Sequence, residues 1–172
     1  CYQDLPISSS EVANSIANPI IKAVSLTGSE QAGIAVATEA GKHLKKCVLE
    51  LGGSNAFIIL EDANLDKAVA IAVNARMQNA GQSCIAAKRF LVHENIVEEF
   101  VAKLKVAIQN LKTGNPFDKE MQIGSLARVD LAEELEAQVQ KSIQMGADLI
   151  VGGTRKEAFY EPTILANVTT EM

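Results

Sequence analysis

At 172 residues, 48% of them hydrophobic, the chain has enough apolar side chain to build a core, which excludes a disordered segment and fits one domain or parts of two. A net charge of −5, with the 16 Lys and Arg scattered along the sequence, gives no electrostatic footing for nucleic acid, so the expected partners are small molecules or other protein chains. Three cysteines, Cys1, Cys47 and Cys84, at irregular spacing and without a histidine cluster, argue against a disulfide framework or a metal site and for a reducing, cytoplasmic setting.

The opening CYQDLPISSS has neither the basic start nor the apolar middle of a signal peptide, and it lacks an initiator Met, so the chain is expected to begin partway through a longer protein. Ser9 or Ser10 is expected to cap a short helix that ends near Asn18-Pro19. Residues 22–27 (KAVSLT) read as a buried strand, followed by Gly28-Ser29 and a helix to about Gly41. Lys45 and Lys46 look like a solvated strand entrance, and Cys47 like a core residue. Two apolar runs, 47–51 and 56–60, are separated by Gly52-Gly53, the expected domain boundary.

Asn64 is expected to cap a helix whose apolar residues Leu65, Ala68, Val69, Ala72 and Val73 have helical spacing. Residues 89–93 read as a strand and 96–111 as an amphipathic helix with Ile96, Val97, Phe100, Val101, Leu104 and Ile108 on one side. TGNPFDKEMQIGS (113–125) is a loop by its Gly, Pro and Asp, a third helix covers about 129–145, and strands at 149–151 and 162–165 close the chain. Such alternation points to an α/β fold with parallel strands. No apolar run approaches the roughly 18 residues of a membrane span. The isolated His43 and His93 read as surface or edge residues.

Three places carry candidate chemistry. Cys84, in NAGQSCIAA, follows a small polar turn (Gly81, Gln82, Ser83) between a helix and a strand, where a nucleophile can be exposed; the alternative is a buried thiol, which is the commoner fate of an isolated cysteine. Glu50, in VLELGG, is a carboxylate inside an apolar run that ends in two glycines. Simple strand alternation would put it on a solvated face, whereas the glycines allow close backbone approach, as a ligand site with a general base requires. Gly28-Ser29 stands between a strand and a helix, where backbone N–H groups can hold a phosphate; the alternative is an ordinary cap by Ser29 with Gln31 or Ala32 nearby.

Taken together, SLTGS, LELGGSNAFIIL and NAGQSC, followed by GNPFD, VGG and EPTIL, resemble the aldehyde dehydrogenase superfamily over nearly the whole chain. The wording VSLTGSEQAG, GKHLKK and AGQSCIAAKRF is most similar to its bacterial succinate-semialdehyde dehydrogenase branch. The resemblance implies an α/β fold with parallel-sheet Rossmann-type layers: residues 1–51 are the end of an NAD(P)-binding domain and 52–172 a partial catalytic domain. It implies that Cys84 is the nucleophile that forms a thiohemiacetal and then a thioester, and that Glu50 activates the water that hydrolyses it. Gly28 and Ser29 would face the pyrophosphate of NAD or NADP, with Leu51 and Gly52 near the nicotinamide, and no metal is implied.

The family's oxyanion-hole asparagine and ribose-binding lysine are expected upstream, and a Glu-x-Phe-Gly-Pro segment and an oligomerisation strand downstream. The expected partners are a small-molecule aldehyde and, in a parent homodimer or homotetramer, further copies of itself. One departure concerns the substrate carboxylate: a related branch places an arginine where Gln78 stands here, and the nearby Arg76 is expected to point elsewhere on its helix. Two other outcomes are weighed: a catalytically incompetent fragment or pseudoenzyme that only binds other chains, and an acylating enzyme that releases the acyl group to coenzyme A, against which Glu50 argues.

Overall fold

The computed structural model describes residues 2–172, so Cys1 and its place in the cysteine count lie outside the described residues. Among these residues Cys47 and Cys84 are free thiols. The chain divides into two compact units, one ending at Gly53 and the other spanning Ser54–Met172. No helix among the described residues is long and apolar enough to cross a membrane.

The first unit is a βαβ element with a short helix in front. After a single 3-10 turn at Ser9–Glu11, α1 spans Val12–Ala17; β1 (Ala23–Thr27) and β2 (Lys46–Glu50) pair in parallel, joined by α2 (Glu30–Lys42). The cap of the opening turn is Ser8 rather than Ser9 or Ser10, because its backbone N–H is the one that reaches the Glu11 carboxylate, at 3.2 Å. Both strands alternate rather than bury throughout: Val24, Leu26, Cys47 and Leu49 are half-buried, while Ala23, Ser25, Thr27, Lys46, Val48 and Glu50 are exposed. Within this unit α2 packs against the strand pair on one side, so only every second residue is covered. The expected buried strand and core Cys47 are corrected accordingly.

Lys45 also departs from the expected solvated entrance. Its ammonium donates to the carbonyls of Ile16 and, at 2.6 Å, Asn18, adding a partner at the C-terminal end of α1, where helix carbonyls run out of intrahelical donors.

The second unit opens with a further parallel pair. β3 (Asn55–Ile59) and β4 (Ala87–Val92) are joined through α3 (Leu65–Met77). Asn64 caps α3 as expected, its Oδ1 accepting the Lys67 N–H at 3.0 Å. α4 (Val97–Gln109) lays Phe100, Leu104 and Ile108 against Ile59, Val69 and Ala72 to form the core, with Phe57 and Phe90 at its edge. The α/β class with parallel strands is thus present in both units.

After the 113–125 loop comes α5 (Val129–Gln144), and then the strands turn antiparallel: β5 (Asp148–Val151) pairs with β8 (Ile164–Ala166), and β6 (Arg155–Lys156) with β7 (Phe159–Tyr160). The small hairpin is absent from the sequence reading because two-residue strands in RKEAFY show no periodicity. Here the VGG and EPTIL segments are partners. Gly153 N–H donates to Thr163 Oγ1 at 2.9 Å, and that hydroxyl donates to the Glu161 carbonyl at 2.7 Å.

Gly152 has φ +80°, and a methyl group there would collide with the Pro162 carbonyl and lie 2.9 Å from Thr163 Cα. Both obstacles are backbone and cannot rotate away. Gly152→Ala is therefore expected to cost about 2–4 kcal/mol, the left-handed penalty plus overpacking, read as a lower denaturant midpoint with an unchanged slope.

Candidate active site

The two candidate sets lie in different units. In the first unit, Gly28, Ser29, Glu50, Leu51 and Gly52 all belong to one end, the C-terminal end of the parallel strands β1 and β2. Thr27 is registered opposite Glu50, and Gly28 N–H donates to the Glu50 carbonyl at 3.0 Å. Open α/β sheets bind ligands at this end, where the following helix also presents its N-terminal amides.

Ser29 is the cap of α2, its Oγ accepting the Ala32 N–H at 3.2 Å. The ordinary-cap alternative is therefore realised. A hydroxyl that accepts in this way still has its own proton to donate. Gly28 and Gly52 are not demanded by packing inside the unit. A methyl at Gly28 would meet only ordinary contacts, at 3.7 Å and beyond, and one at Gly52 would meet nothing within 4 Å. Neither has a positive φ. The bare backbone leaves a strand-end surface that a phosphate-bearing ligand can approach closely, so the residues present fit such a group.

Leu51 is different. Its side chain turns onto α2, where a methyl at Gly33 would sit 2.8 Å from Leu51 Cδ2, so Gly33 makes the room. Glu50 is exposed on the uncovered side of β2, with no side-chain hydrogen bond or ion pair among the described residues. Within the unit its placement is that of plain strand alternation, and its carboxylate is not committed to any structural contact.

In the second unit, Cys84 is exposed in the connection between α3 and β4. The connection begins as a 3-10 turn at Gln78–Gly81 in which Asn79, Ala80 and Gly81 all have left-handed φ, 53°, 53° and 78°. It ends in a tight turn in which Ala86 N–H donates to the Ser83 carbonyl at 3.1 Å, with β4 starting at Ala87. Gly81 is buried while Cys84 is exposed, so the loop is anchored inside and carries its thiol outward.

The contacts of two residues of this neighbourhood, Arg76 and Gln82, are visible only in the structure. Arg76 packs its guanidinium on Gly81 and donates to the Gly81 carbonyl at 3.3 Å, and burial holds its pKa below the ordinary arginine value. Gln78, by contrast, is exposed beyond the end of α3. Gln82 uses both ends of its amide, donating to the Asn79 carbonyl at 3.0 Å and accepting from Ala127 N–H at 2.9 Å. An arginine in the last turn of an apolar helix is the one sign of this arrangement that the sequence offers. His43 bonds Glu39 at 3.1 Å and His93 lies beside Glu61, both outside the candidate sets.

Comparison with known proteins bears on the whole chain. A succinate-semialdehyde dehydrogenase [NADP(+)] of Deinococcus radiodurans is 45% identical over 99% of this chain and 36% of its own length. A succinate semialdehyde dehydrogenase [NAD(P)+] of Escherichia coli is 49% identical over 94% of this chain, again 36% of its own length. The chain therefore spans little more than a third of the curated relatives it matches. Among solved structures, the succinic semialdehyde dehydrogenase of Streptococcus pyogenes in complex with NADP+ is similar with a TM-score of 0.92 and 38% identity, covering 96% of this chain and 37% of that one. The aldehyde dehydrogenase family profile matches residues 4–172, and the chain belongs to that family.

Proposed function

We propose that the full-length protein is an NAD(P)-dependent aldehyde dehydrogenase that oxidises succinic semialdehyde to the acid, with Cys84 as nucleophile and Glu50 as the base for hydrolysis. The observation that carries this is the Cys84 thiol, held exposed on a loop anchored by a buried glycine between two rigid elements. The substrate follows from the names of relatives that are 45% and 49% identical. Residues 1–51 would belong to the cofactor-binding domain and 52–172 to the catalytic one. A reactive exposed thiol suits the reducing cytoplasm, and a homodimer or homotetramer completes the proposal.

In this mechanism the Cys84 thiolate attacks the aldehyde carbon, and the new C–S bond puts charge on the carbonyl oxygen. The Cys84 backbone N–H stabilises that oxyanion. Bound NAD(P) supplies the hydride acceptor that takes the carbon to the thioester level. Gly28, Ser29 and the N-terminal amides of α2 would hold its pyrophosphate, and Leu51 and Gly52 would lie near the nicotinamide ring. Glu50 then removes a proton from water as it attacks the thioester, which releases the acid and returns the thiolate.

The test is an absorbance assay of the full-length protein with succinic semialdehyde and each nucleotide, against an uncharged aldehyde of equal length. Nucleotide reduction with stoichiometric acid, and a kcat/KM at least about 10-fold higher for the carboxylated aldehyde, is the expected result. Failure to oxidise any aldehyde would overturn the proposal, and equal use of both would remove succinic semialdehyde from it.

A further inference from the structure

We propose that Arg76 and Gln82 are positioning residues that clamp the Cys84 loop in its left-handed course, a role that rests on Cys84 being the nucleophile. Three consecutive residues, Asn79, Ala80 and Gly81, lie in the left-handed region, which glycine and, less readily, asparagine adopt but which the Cβ of Ala80 disfavours. Such a run persists only where the surroundings over-determine it, and it is a common way of holding a reactive group in place.

The surroundings here are two side chains. Arg76 forms no ion pair with a carboxylate among the described residues, although its guanidinium is largely removed from water; it is spent on the Gly81 carbonyl. The two residues are in close contact: a methyl at Gly81 would lie 2.8 Å from Arg76 Nη2 and would push the guanidinium off its carbonyl, while the φ of +78° is what favours glycine there. From the other side Gln82 ties the loop to itself through Asn79 and to the 126–128 segment through Ala127. One clamp holds the buried end of the loop and the other the end next to Ser83-Cys84. Neither side chain needs to touch substrate: each fixes the backbone whose amide and thiol do.

The test uses the full-length protein with Arg76→Ala, Arg76→Lys, Gln82→Ala and the Arg76/Gln82 double alanine variant. Three readouts are taken: kcat and KM, the pH profile of Cys84 alkylation by iodoacetamide located by mass spectrometry, and thermal unfolding. Misplacing the nucleophile by a fraction of an ångström is expected to lower kcat about 10- to 100-fold in Arg76→Ala, with aldehyde KM within about twofold. Gln82→Ala should lose about threefold to tenfold, and the double variant less than the product of the two, since both act on one loop. Alkylation of Cys84 should slow at every pH in step with kcat, and Arg76→Lys, which still offers one donor, should recover part of the loss.

Folded Arg76→Ala and Gln82→Ala proteins with wild-type kcat and alkylation would overturn the proposal. If Arg76→Ala does not fold, the exposed Gln82 decides alone by the same criterion. Loss of the nucleophile assignment itself is read separately: activity surviving Cys84→Ala sinks that assignment, whereas a dead Cys84→Ala beside neutral clamp variants sinks only the clamp.

Discussion

Replacing Cys84 by alanine in the full-length protein is expected to lower kcat/KM for aldehyde by about 10⁴-fold or more, the scale on which removal of a covalent nucleophile registers. Stability should change by no more than about 0.5 kcal/mol, because the side chain is an exposed free thiol. The internal control is Cys47. It sits half-buried on the covered side of β2, facing α2, where a thiol behaves as a small apolar side chain. Cys47→Ala should keep its activity and pay only in stability. A reversed pattern, with Cys47→Ala inactive and Cys84→Ala active, would move the nucleophile to the strand and leave the Cys84 loop without a chemical role. Cofactor binding gives a second axis, since Cys84→Ala should still bind nucleotide if only the bond-forming step is lost.

That contrast between two cysteines shows what the sequence alone can and cannot say. Cys84 stands out by its flanking glycine and polar residues, which leave an exposed and a buried thiol both open, and the fold decides for the exposed one. Cys47 looked like a core residue because its neighbours are apolar, yet Lys46 and Val48 point to the opposite side of a strand covered by one helix. The same alternation was already readable in β1, where Ser25 and Thr27 interleave with Val24 and Leu26. The long helices were legible because α3, α4 and α5 carry several turns of periodic apolar residues, and α2 and α3 also begin at capping residues, Ser29 and Asn64. Three serines in a row gave no such decision at the first turn, where only the reach of Glu11 selects Ser8.

What the sequence could not supply is pairing between distant segments. VGG and EPTIL were recognisable as landmarks, but their reason for existing is mutual. A strand turn in which Gly152 clears the Pro162 carbonyl, and Thr163 receives Gly153 N–H, is visible only when both are brought together. The clamp on the Cys84 loop is of the same kind. A lone arginine after apolar residues and a glutamine between a glycine and a serine have no periodicity, and their partners are backbone carbonyls and an amide, which leave no mark in the side-chain sequence.

Glu50→Gln separates the two halves of the proposed reaction. The substitution is nearly isosteric at an exposed position whose carboxylate makes no hydrogen bond or ion pair among the described residues, so folding should be unaffected to within about 0.5 kcal/mol. The backbone contact with Gly28 uses the Glu50 carbonyl and survives the change. Steady-state kcat is expected to fall about 10²- to 10³-fold, the usual worth of a positioned general base. The first turnover should not fall with it, because C–S bond formation and oxidation precede the step that needs the base. Rapid mixing should therefore show a burst of reduced nucleotide close to one equivalent per subunit, followed by a slow phase. Mass spectrometry should find the acyl group on Cys84. A thiol acceptor such as coenzyme A then tells hydrolysis from acyl transfer: if the wild-type protein turns over only when the thiol is added, and forms the acyl thioester of that thiol in place of the acid, release does not run through Glu50-activated water. If the variant instead turns over at the wild-type rate without added thiol, Glu50 is an ordinary exposed strand residue, and the base must be sought elsewhere in the full-length protein.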